Sequence, residues 1–236
     1  MVKKSYRFFM TRTGRPRAFD EATVLAKARD LFWAQGYGAT SIEQLVDSLS
    51  LQRGSLYGAF GDKRALYLRA VQLYATENRD RLVSMLETAD EVLPVLRRIL
   101  VAPATLNDPD GRPPTRGCLV GNTTAELVPF DDEARELVSS AFDGFLDSVS
   151  RALARAQERG EVTTAASPQS QAQMLLVLFQ GSALIARADN GDRQRIIGGI
   201  DAAIDGMRAV TGPGLADAVV AADEYQPRNG RTAVRR

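Results

Sequence analysis

The sequence lacks histidine altogether, holds a single cysteine, Cys118, and carries no long hydrophobic run. Without histidine, the chain has neither the commonest general base nor the commonest metal ligand, and we expect no metal and no cofactor. One cysteine excludes an intrachain disulfide and fits a reducing, cytoplasmic compartment. The longest apolar stretch, residues 174–186, is interrupted by Gln180, Gly181 and Ser182. It is shorter than the roughly 18 residues of a membrane span, so it predicts a buried helix and no membrane partner.

Positive charge is concentrated at the start of the chain. The 236 residues carry a net charge of only +1, but residues 1–70 contain 12 Lys and Arg against 6 Asp and Glu. The remaining residues, 71–236, are mildly acidic. A basic first quarter on an acidic body indicates a polyanionic partner for the N-terminal part alone.

Hydrophobic spacing and capping residues predict an all-α protein. Asp20 and Asp62 are placed to cap helices, and Gly36 is placed to end one. In "TSIE" at 40–43, Thr40 and Glu43 fit a capping box. The predicted helices cover about residues 20–35, 40–49, 53–60, 62–88, 94–102, 119–127, 131–159, 168–188 and 193–210.

Four regions are expected from composition and pattern. Residues 1–19 form a flexible basic arm, of which 1–9 extend a natural beginning at Met10. Residues 20–66 form a three-helix domain with a helix-turn-helix. Residues 67–211 form a helical ligand-binding and dimerisation domain, and 212–236 a flexible tail. A plain three-helix packing unit with solvated charges is the alternative reading of residues 20–66.

The stretch "LQRGSLYGAFGDK" at 51–63 fits a recognition helix. Its apolar side chains are expected to pack inward, while Gln52, Arg53 and Ser55 lie at the N-terminal end, where such a helix meets base edges. Tyr57 offers a hydroxyl and Lys63 a charge to phosphates. The inward-facing residues are Leu51, Leu56 and Phe60.

Residues 31–67, "LFWAQGYGATSIEQLVDSLSLQRGSLYGAFGDKRALY", resemble the DNA-binding domain of TetR-type transcriptional regulators. The resemblance implies an all-α homodimer whose C-terminal domain binds a ligand. By position, it implies that Thr40, Tyr57 and Lys63 contact phosphates and that Gln52, Arg53 and Ser55 read bases. Many members carry larger polar residues where this chain has Gly58 and Ala59, which leaves base reading to fewer side chains and to an arm with Arg15 and Arg17.

The segment "RGCLVGNTTAEL" at 116–127 resembles a branch of the family in which some members sense electrophiles or oxidants through the cysteine. A helix N-terminus and nearby Arg116 favour a thiolate at Cys118. The alternative is that Cys118 is a small buried apolar side chain. Similarly, the acids at 131–133 could suggest catalysis or a metal, but they fit better as helix caps.

Two further surfaces are predicted in the C-terminal domain. Phe142, Phe145, Leu146 and Phe179 could line an apolar ligand pocket with its mouth at the Pro-rich loop 103–117. Its occupant would bias the tilt of the helix at 62–88. The last two helices would form the dimer interface, with Leu178, Gly181, Ile185, Ile197, Ile200 and Ile204 at the contact.

The predicted function is therefore a ligand- or electrophile-responsive repressor that binds a palindromic, double-stranded operator as a dimer. A constitutive DNA-binding protein is the first alternative. An enzyme with an incidental helix-turn-helix is the second, and the sequence shows no nucleophile motif or metal cluster to favour it.

Overall fold

The computed structural model describes residues 19–105, 116–188 and 193–209. These residues form nine α-helices and a short 3-10 turn at Val128–Phe130, and their only β feature is an isolated bridge between Val162 and Arg208. The predicted all-α fold is confirmed. The helices are α1 (Glu21–Gln35), α2 (Ile42–Leu49), α3 (Arg53–Phe60), α4 (Lys63–Glu87), α5 (Val92–Thr105), α6 (Leu119–Glu126), α7 (Asp132–Glu158), α8 (Pro168–Ala188) and α9 (Gln194–Gly206).

Local side-chain chemistry begins and ends the N-terminal helices as predicted. Asp20 accepts hydrogen bonds from the N–H groups of Ala22 and Thr23, and Asp62 accepts one from Ala65 at 2.7 Å. Gly36 ends α1 with a φ of 88°, a left-handed backbone that favours glycine. These contacts determine where α1 begins and ends and where α4 begins. The two helices flank the helix-turn-helix, which is formed by α2 and α3.

The capping box of α2 lies one residue later than predicted. Ser41 is the N-cap, the Gln44 N–H donates to its hydroxyl at 3.1 Å, and the Ser41 N–H donates to Oε1 of Gln44 at 2.7 Å. Thr40 instead is fully buried, and its hydroxyl donates to the carbonyl of Gly36 at 2.7 Å. The prediction of a capping box between Thr40 and Glu43 was therefore wrong. Thr40 stabilises the turn after α1, and Ser41 caps α2.

Two hydrophobic clusters build the core, and they meet at Phe179. The first joins α1, α2, α3 and the first half of α4 to α6 and the start of α7, with Phe32 and Tyr67 in edge-to-face contact at 5.0 Å. The second joins the rest of α4 to α5, α7, α8 and α9. Because α4 runs without a break through residues 66 and 67, the predicted domain boundary falls inside a helix.

Helix α5 extends into the stretch that was predicted as a Pro-rich loop, residues 103–117. Helix α5 continues through Pro103 to Thr105. Proline lacks the N–H that would bond to the carbonyl of Ile99, but it lies in the last turn, where one missing bond is tolerated. Residues 106–115, the predicted arm with Arg15 and Arg17, and the tail at 212–236 lie outside the described residues.

Asp131 joins the start of α4 to the start of α7. Its carboxylate accepts a hydrogen bond from the Ala134 N–H at 3.0 Å and two from the Arg64 guanidinium at 2.5 and 2.7 Å. These hydrogen bonds, above all those from Arg64, lower the pKa of Asp131 to about 2. Asp132 and Glu133 occupy the first turn, so the predicted capping role of this acidic segment is confirmed.

We expect Asp131→Ala to lower the free energy of unfolding by about 1–2 kcal/mol, because it removes a helix cap and leaves Arg64 with a weaker partner. Urea unfolding at neutral pH measures this loss. Asp132→Ala, at a side chain that is 90% exposed, is the control and should change stability by less than about 0.5 kcal/mol. Since the pKa of Asp131 is lowered, the contribution is present above the ordinary value of 3.8 and is lost as the pH falls towards 2. Equal losses in the two variants would contradict the role given to Asp131.

Candidate nucleic-acid interface and effector cavity

Helix α3 buries one face and exposes the other. Leu56 and Phe60 are 2% and 4% exposed and pack in the N-terminal cluster, while Leu51 is half-buried. Gln52, Arg53, Ser55 and Tyr57 are all exposed, and no atom lies within 4 Å of a Cβ built at Gly54 or Gly58. The outer face of α3 therefore carries the polar side chains on a surface with little bulk, as a helix that enters the major groove requires.

An ion pair that the sequence did not reveal holds Arg53 in place. The Arg53 guanidinium donates to Oε1 of Glu43 at 2.8 Å, and the two side chains are 58% and 69% exposed. A hydrogen bond from the Glu43 N–H is the main cause of the lowered pKa of Glu43, with a further contribution from Arg53. An exposed pair of this kind contributes little to stability, so Arg53 can exchange Glu43 for another partner at low cost.

The predicted phosphate-contacting residues differ in their surroundings. Tyr57 is 40% exposed, and its ring projects from α3. The Lys63 ammonium lies 4.4 Å from the centre of the Tyr37 ring, which positions it at the N-terminus of α4. The Thr40 side chain is buried, as described above, so its hydroxyl is not available on the surface.

A cavity of about 690 Å³ opens between α1, α4, α5, α6, α7 and α8. Phe142, Phe145 and Phe179 line it, and the rings of Phe145 and Phe179 stack at 6.1 Å. Leu146 is not among the lining residues and packs against the C-terminal core instead. The volume lies within the range of small-molecule sites, and most of the wall is apolar, as such sites require.

Cys118 is both a core residue and a cavity residue. It is 6% exposed, belongs to the N-terminal cluster and lines the cavity. It is the N-cap of α6, and the Gln180 amide lies 3.7 Å from its Sγ. Burial raises the pKa of Tyr74 well above its ordinary value, and the neighbouring Cys118 side chain raises it further. A reagent would reach this thiol through the cavity.

Helix α6 is attached to the N-terminal helices at both of its ends, and the start of α6 also borders the cavity. At the cavity end, the Trp33 indole N–H donates to the carbonyl of Gly117 at 3.0 Å. At the other end, the N–H of Gly38, in the corner between α1 and α2, donates to Oε2 of Glu126 at 3.1 Å. These contacts could not be predicted from the sequence, because each joins residues more than 80 positions apart.

The predicted dimer residues divide into two groups. Ile185 is 47% exposed, Gly181 has open space where a Cβ would lie, and Leu178 and Ile197 are half-buried. Ile200 and Ile204 are each 2% exposed and pack in the protomer's own core, so they are not available to a partner. Three further apolar residues of α8, which the prediction did not include, are also exposed: Met174, Val177 and Leu184.

Comparisons with known proteins agree with this architecture. Residues 24–70 match the family model of bacterial regulatory proteins of the tetR family, and 96–197 match the tetracyclin repressor-like C-terminal domain. The uncharacterized HTH-type transcriptional regulator YezE of Bacillus subtilis strain 168 is 31% identical over 150 residues, which are 63% of this chain and 76% of YezE. The chain belongs to the TetR family.

Two further relatives of this TetR-family protein have a described role or ligand. The HTH-type transcriptional repressor DhaR of Mycobacterium sp. strain GP1 is 26% identical over 161 residues, 68% of this chain and 79% of DhaR. A cysteine mutant of the regulator CifR, solved with 26-bp double-strand operator DNA, shares the fold with a TM-score of 0.69 at 23% identity, covering 82% of this chain and all of the CifR chain.

The family is one of transcriptional regulators that bind DNA through a helix-turn-helix and act as dimers with small-molecule ligands. The predicted DNA-binding transcriptional regulator is therefore confirmed. Among the described residues, no helix is long and apolar enough to cross a bilayer. Within the same residues, no group of His, Cys, Asp and Glu side chains could hold a metal ion.

Proposed function

We propose that the protein is a cytoplasmic, dimeric repressor that binds a palindromic operator and releases it when an effector occupies the cavity. Its role is regulatory and not enzymatic. The repressor DhaR and the operator complex of CifR support this assignment by family likeness. The exposed polar face of α3 supports it independently, because that face has the shape and chemistry of a recognition helix.

In this proposal, some residues of the N-terminal domain contact bases and others contact phosphates. Gln52, Arg53 and Ser55 read base edges in the major groove, while Tyr57 and Lys63 contact phosphates. Arg15 and Arg17 add contacts from the N-terminal arm. Thr40, which the resemblance placed among the phosphate contacts, acts indirectly by fixing the corner between α1 and α2 through its bond to Gly36.

The attachment of α6 at both ends is the observation that carries the effector response. An occupant of the cavity touches Gly117 and Cys118 at the start of α6, and any shift of α6 moves the Glu126 carboxylate that holds Gly38. Helix α4 follows because the Tyr67 hydroxyl shares a hydrogen bond with that of Thr123 at 2.9 Å. A ligand releases DNA only if it favours the dimer in which the recognition helices are wrongly spaced.

A constitutive DNA-binding protein is the weaker proposal. Such a protein has no need of an apolar cavity of about 690 Å³, which forfeits packing contacts in the middle of the C-terminal domain. Cys118 gives an effector a second, covalent route to the same position at the start of α6.

The proposed function is tested by incubating the purified protein with fragmented genomic DNA and sequencing the fragments that it retains. A dimeric repressor should enrich a short inverted repeat whose half-sites lie about one helical turn apart. Retention of fragments without a shared sequence would contradict operator binding and would favour a non-specific DNA-binding protein.

Arg53→Ala should weaken binding to the enriched sequence by about 1–3 kcal/mol and leave binding to random DNA almost unchanged. Lys63→Ala is the matched comparison, since a lost phosphate contact weakens both kinds of DNA alike and reduces the salt slope by about one. Fluorescence anisotropy at several salt concentrations distinguishes the two variants. If Arg53→Ala weakens operator and random DNA equally, Arg53 does not read bases.

A further inference from the structure

The charged residues around the cavity are almost all of one sign. Among the residues that the structure describes, four arginines line it, and Asp30 supplies the one carboxylate. The Asp30 carboxylate is paired with Arg29, whose Nε and a second guanidinium nitrogen donate to Oδ1 of Asp30 at 2.9 and 2.8 Å. Arginines therefore outnumber carboxylates in the described part of the cavity wall. The four arginines are Arg79, Arg81, Arg98 and Arg116.

Two of these arginines have no carboxylate partner among the described residues, so their guanidinium groups can bind an anionic ligand. Among the described residues, neither Arg81 nor Arg98 forms an ion pair with a carboxylate, and both are exposed. Arg81 makes one hydrogen bond, to Oδ1 of Asn78 at 3.3 Å. Its positive charge also partly offsets the raised pKa of Tyr74, a residue of the cavity wall. Arg79 pairs with Asp80 at 3.6 Å, a loose contact between neighbours in the sequence.

Three of the four arginines come from two helices that line the cavity. Arg79 and Arg81 lie on α4, and Arg98 lies on α5. The stem of Arg79 reaches across to α7, where its Cδ lies 3.4 Å from the position of a Cβ built on Gly144. Much of the remaining wall is apolar, with Trp33, Phe142 and Phe179 among its members.

We propose that the effector is an organic anion with an apolar body, an acyl or aromatic carboxylate, which rests on the proposed function of the cavity as the effector site. The apolar body fills the space between the aromatic rings, and the carboxylate accepts hydrogen bonds from Arg81 and Arg98. Hydrogen bonds to a charged group are stronger than those between neutral groups, and arginine suits a carboxylate in particular. A cationic ligand would face an excess of like charge, and a neutral one would leave the guanidinium groups unused.

The chain contains its own reporter for this test. Trp33 is the only tryptophan of the 236 residues, and it lines the cavity. Its fluorescence can therefore follow binding of decanoate, 1-decanol and decylammonium, three probes with the same apolar body and different head groups. We expect the full-length protein to bind decanoate about tenfold more tightly than 1-decanol, with decylammonium the weakest.

Arg98→Gln and Arg81→Gln should each reduce the affinity for decanoate, and together reduce it to the level of 1-decanol, while the affinity for 1-decanol stays the same. Arg97→Gln is the matched control, because Arg97 is the neighbour of Arg98 on α5 but donates to Asp201 at 2.6 Å and does not line the cavity. Equal affinities for decanoate and 1-decanol in the unmodified protein, tighter binding of decylammonium, or no fluorescence change with any probe would overturn the inference.

A parallel measurement of operator binding separates this inference from the proposed function. If decanoate binds with the expected dependence on Arg81 and Arg98 but leaves operator binding unchanged, the ligand class stands and effector-driven release fails. If 1-decanol releases the operator as well as decanoate does, effector-driven release stands and the preference for an anion fails.

Discussion

Glutamate at both Val177 and Leu184 is expected to convert the protein to a monomer and to weaken operator binding by about 100-fold or more. The second half of a dimer binds DNA intramolecularly once the first is bound, and a monomer loses that advantage. Two recognition helices held about one DNA turn apart also match a palindrome, which a single helix cannot do.

The physical basis is an apolar stripe on α8 that is exposed among the residues the structure describes. Val177 and Leu184 are 72% and 69% exposed, and Met174 and Ile185 are 40% and 47% exposed. Residues 174, 177, 181 and 184 recur at intervals of three and four, so they share one face of the helix. Gly181 lies in the middle of this stripe with nothing within 4 Å of a Cβ built on it, which would let a second helix approach closely.

Sedimentation velocity would measure the association state, and fluorescence anisotropy would measure operator affinity. Phe130→Glu is the control, since Phe130 is 89% exposed and lies in the turn before α7, a turn that packs against α6 and α7. It should leave both measurements unchanged. A Val177→Glu, Leu184→Glu protein that still sediments as a dimer would place the interface elsewhere.

The exposed face of α8 was predictable from the sequence only in part. The run at 174–186 is apolar on most sides, which predicted that α8 is shared between the protomer core and a partner. The run could not show which face of α8 packs in the protomer core and which face is exposed. Ile200 and Ile204 look like interface residues at helical spacing, but α5 covers them within the protomer.

Helix ends were predictable where one side chain decides them. Asp20, Asp62 and Asp131 each cap the helix that the sequence assigned to them, because a cap is a contact between residues three apart. The start of α2 was ambiguous since Thr40 and Ser41 both offer a hydroxyl, and only the tertiary position of Gly36 decides between them.

The charge of the cavity could not be predicted from the sequence. Arg79 and Arg81 of α4 and Arg98 of α5 are exposed, and each is typical of a solvated helix surface, while Arg116 lies half-buried just before α6. They face one opening only because α4 and α5 pack on α7 and α8. The aromatic wall was easier to anticipate, since Phe142 and Phe145 lie on one face of a single helix.

Modification of Cys118 is expected to release the operator. N-ethylmaleimide is small enough to test this: the Cys118 thiol gives up its proton, its sulfur forms a bond to one alkene carbon as the carbon–carbon π bond breaks, and the other carbon takes up a proton in return. The added ring would occupy the cavity beside the N-cap of α6, where the carbonyl of the preceding Gly117 accepts the hydrogen bond from Trp33. Displacing that end of α6 should strain the contact between Glu126 and Gly38 at its other end.

We expect treated wild-type protein to lose operator affinity by about tenfold or more, a shift of at least about 1.4 kcal/mol, because coupling free energies between sites reach 1–3 kcal/mol. Cys118→Ser is a complete control, since Cys118 is the only cysteine of the chain. Mass spectrometry should show one adduct on the wild type and none on the variant. If the wild type carries the adduct and still binds the operator, Cys118 is a packed core residue, and the cavity acts through non-covalent ligands alone. If treated wild type and Cys118→Ser lose binding alike, the reagent acts at another group and thiol sensing is excluded.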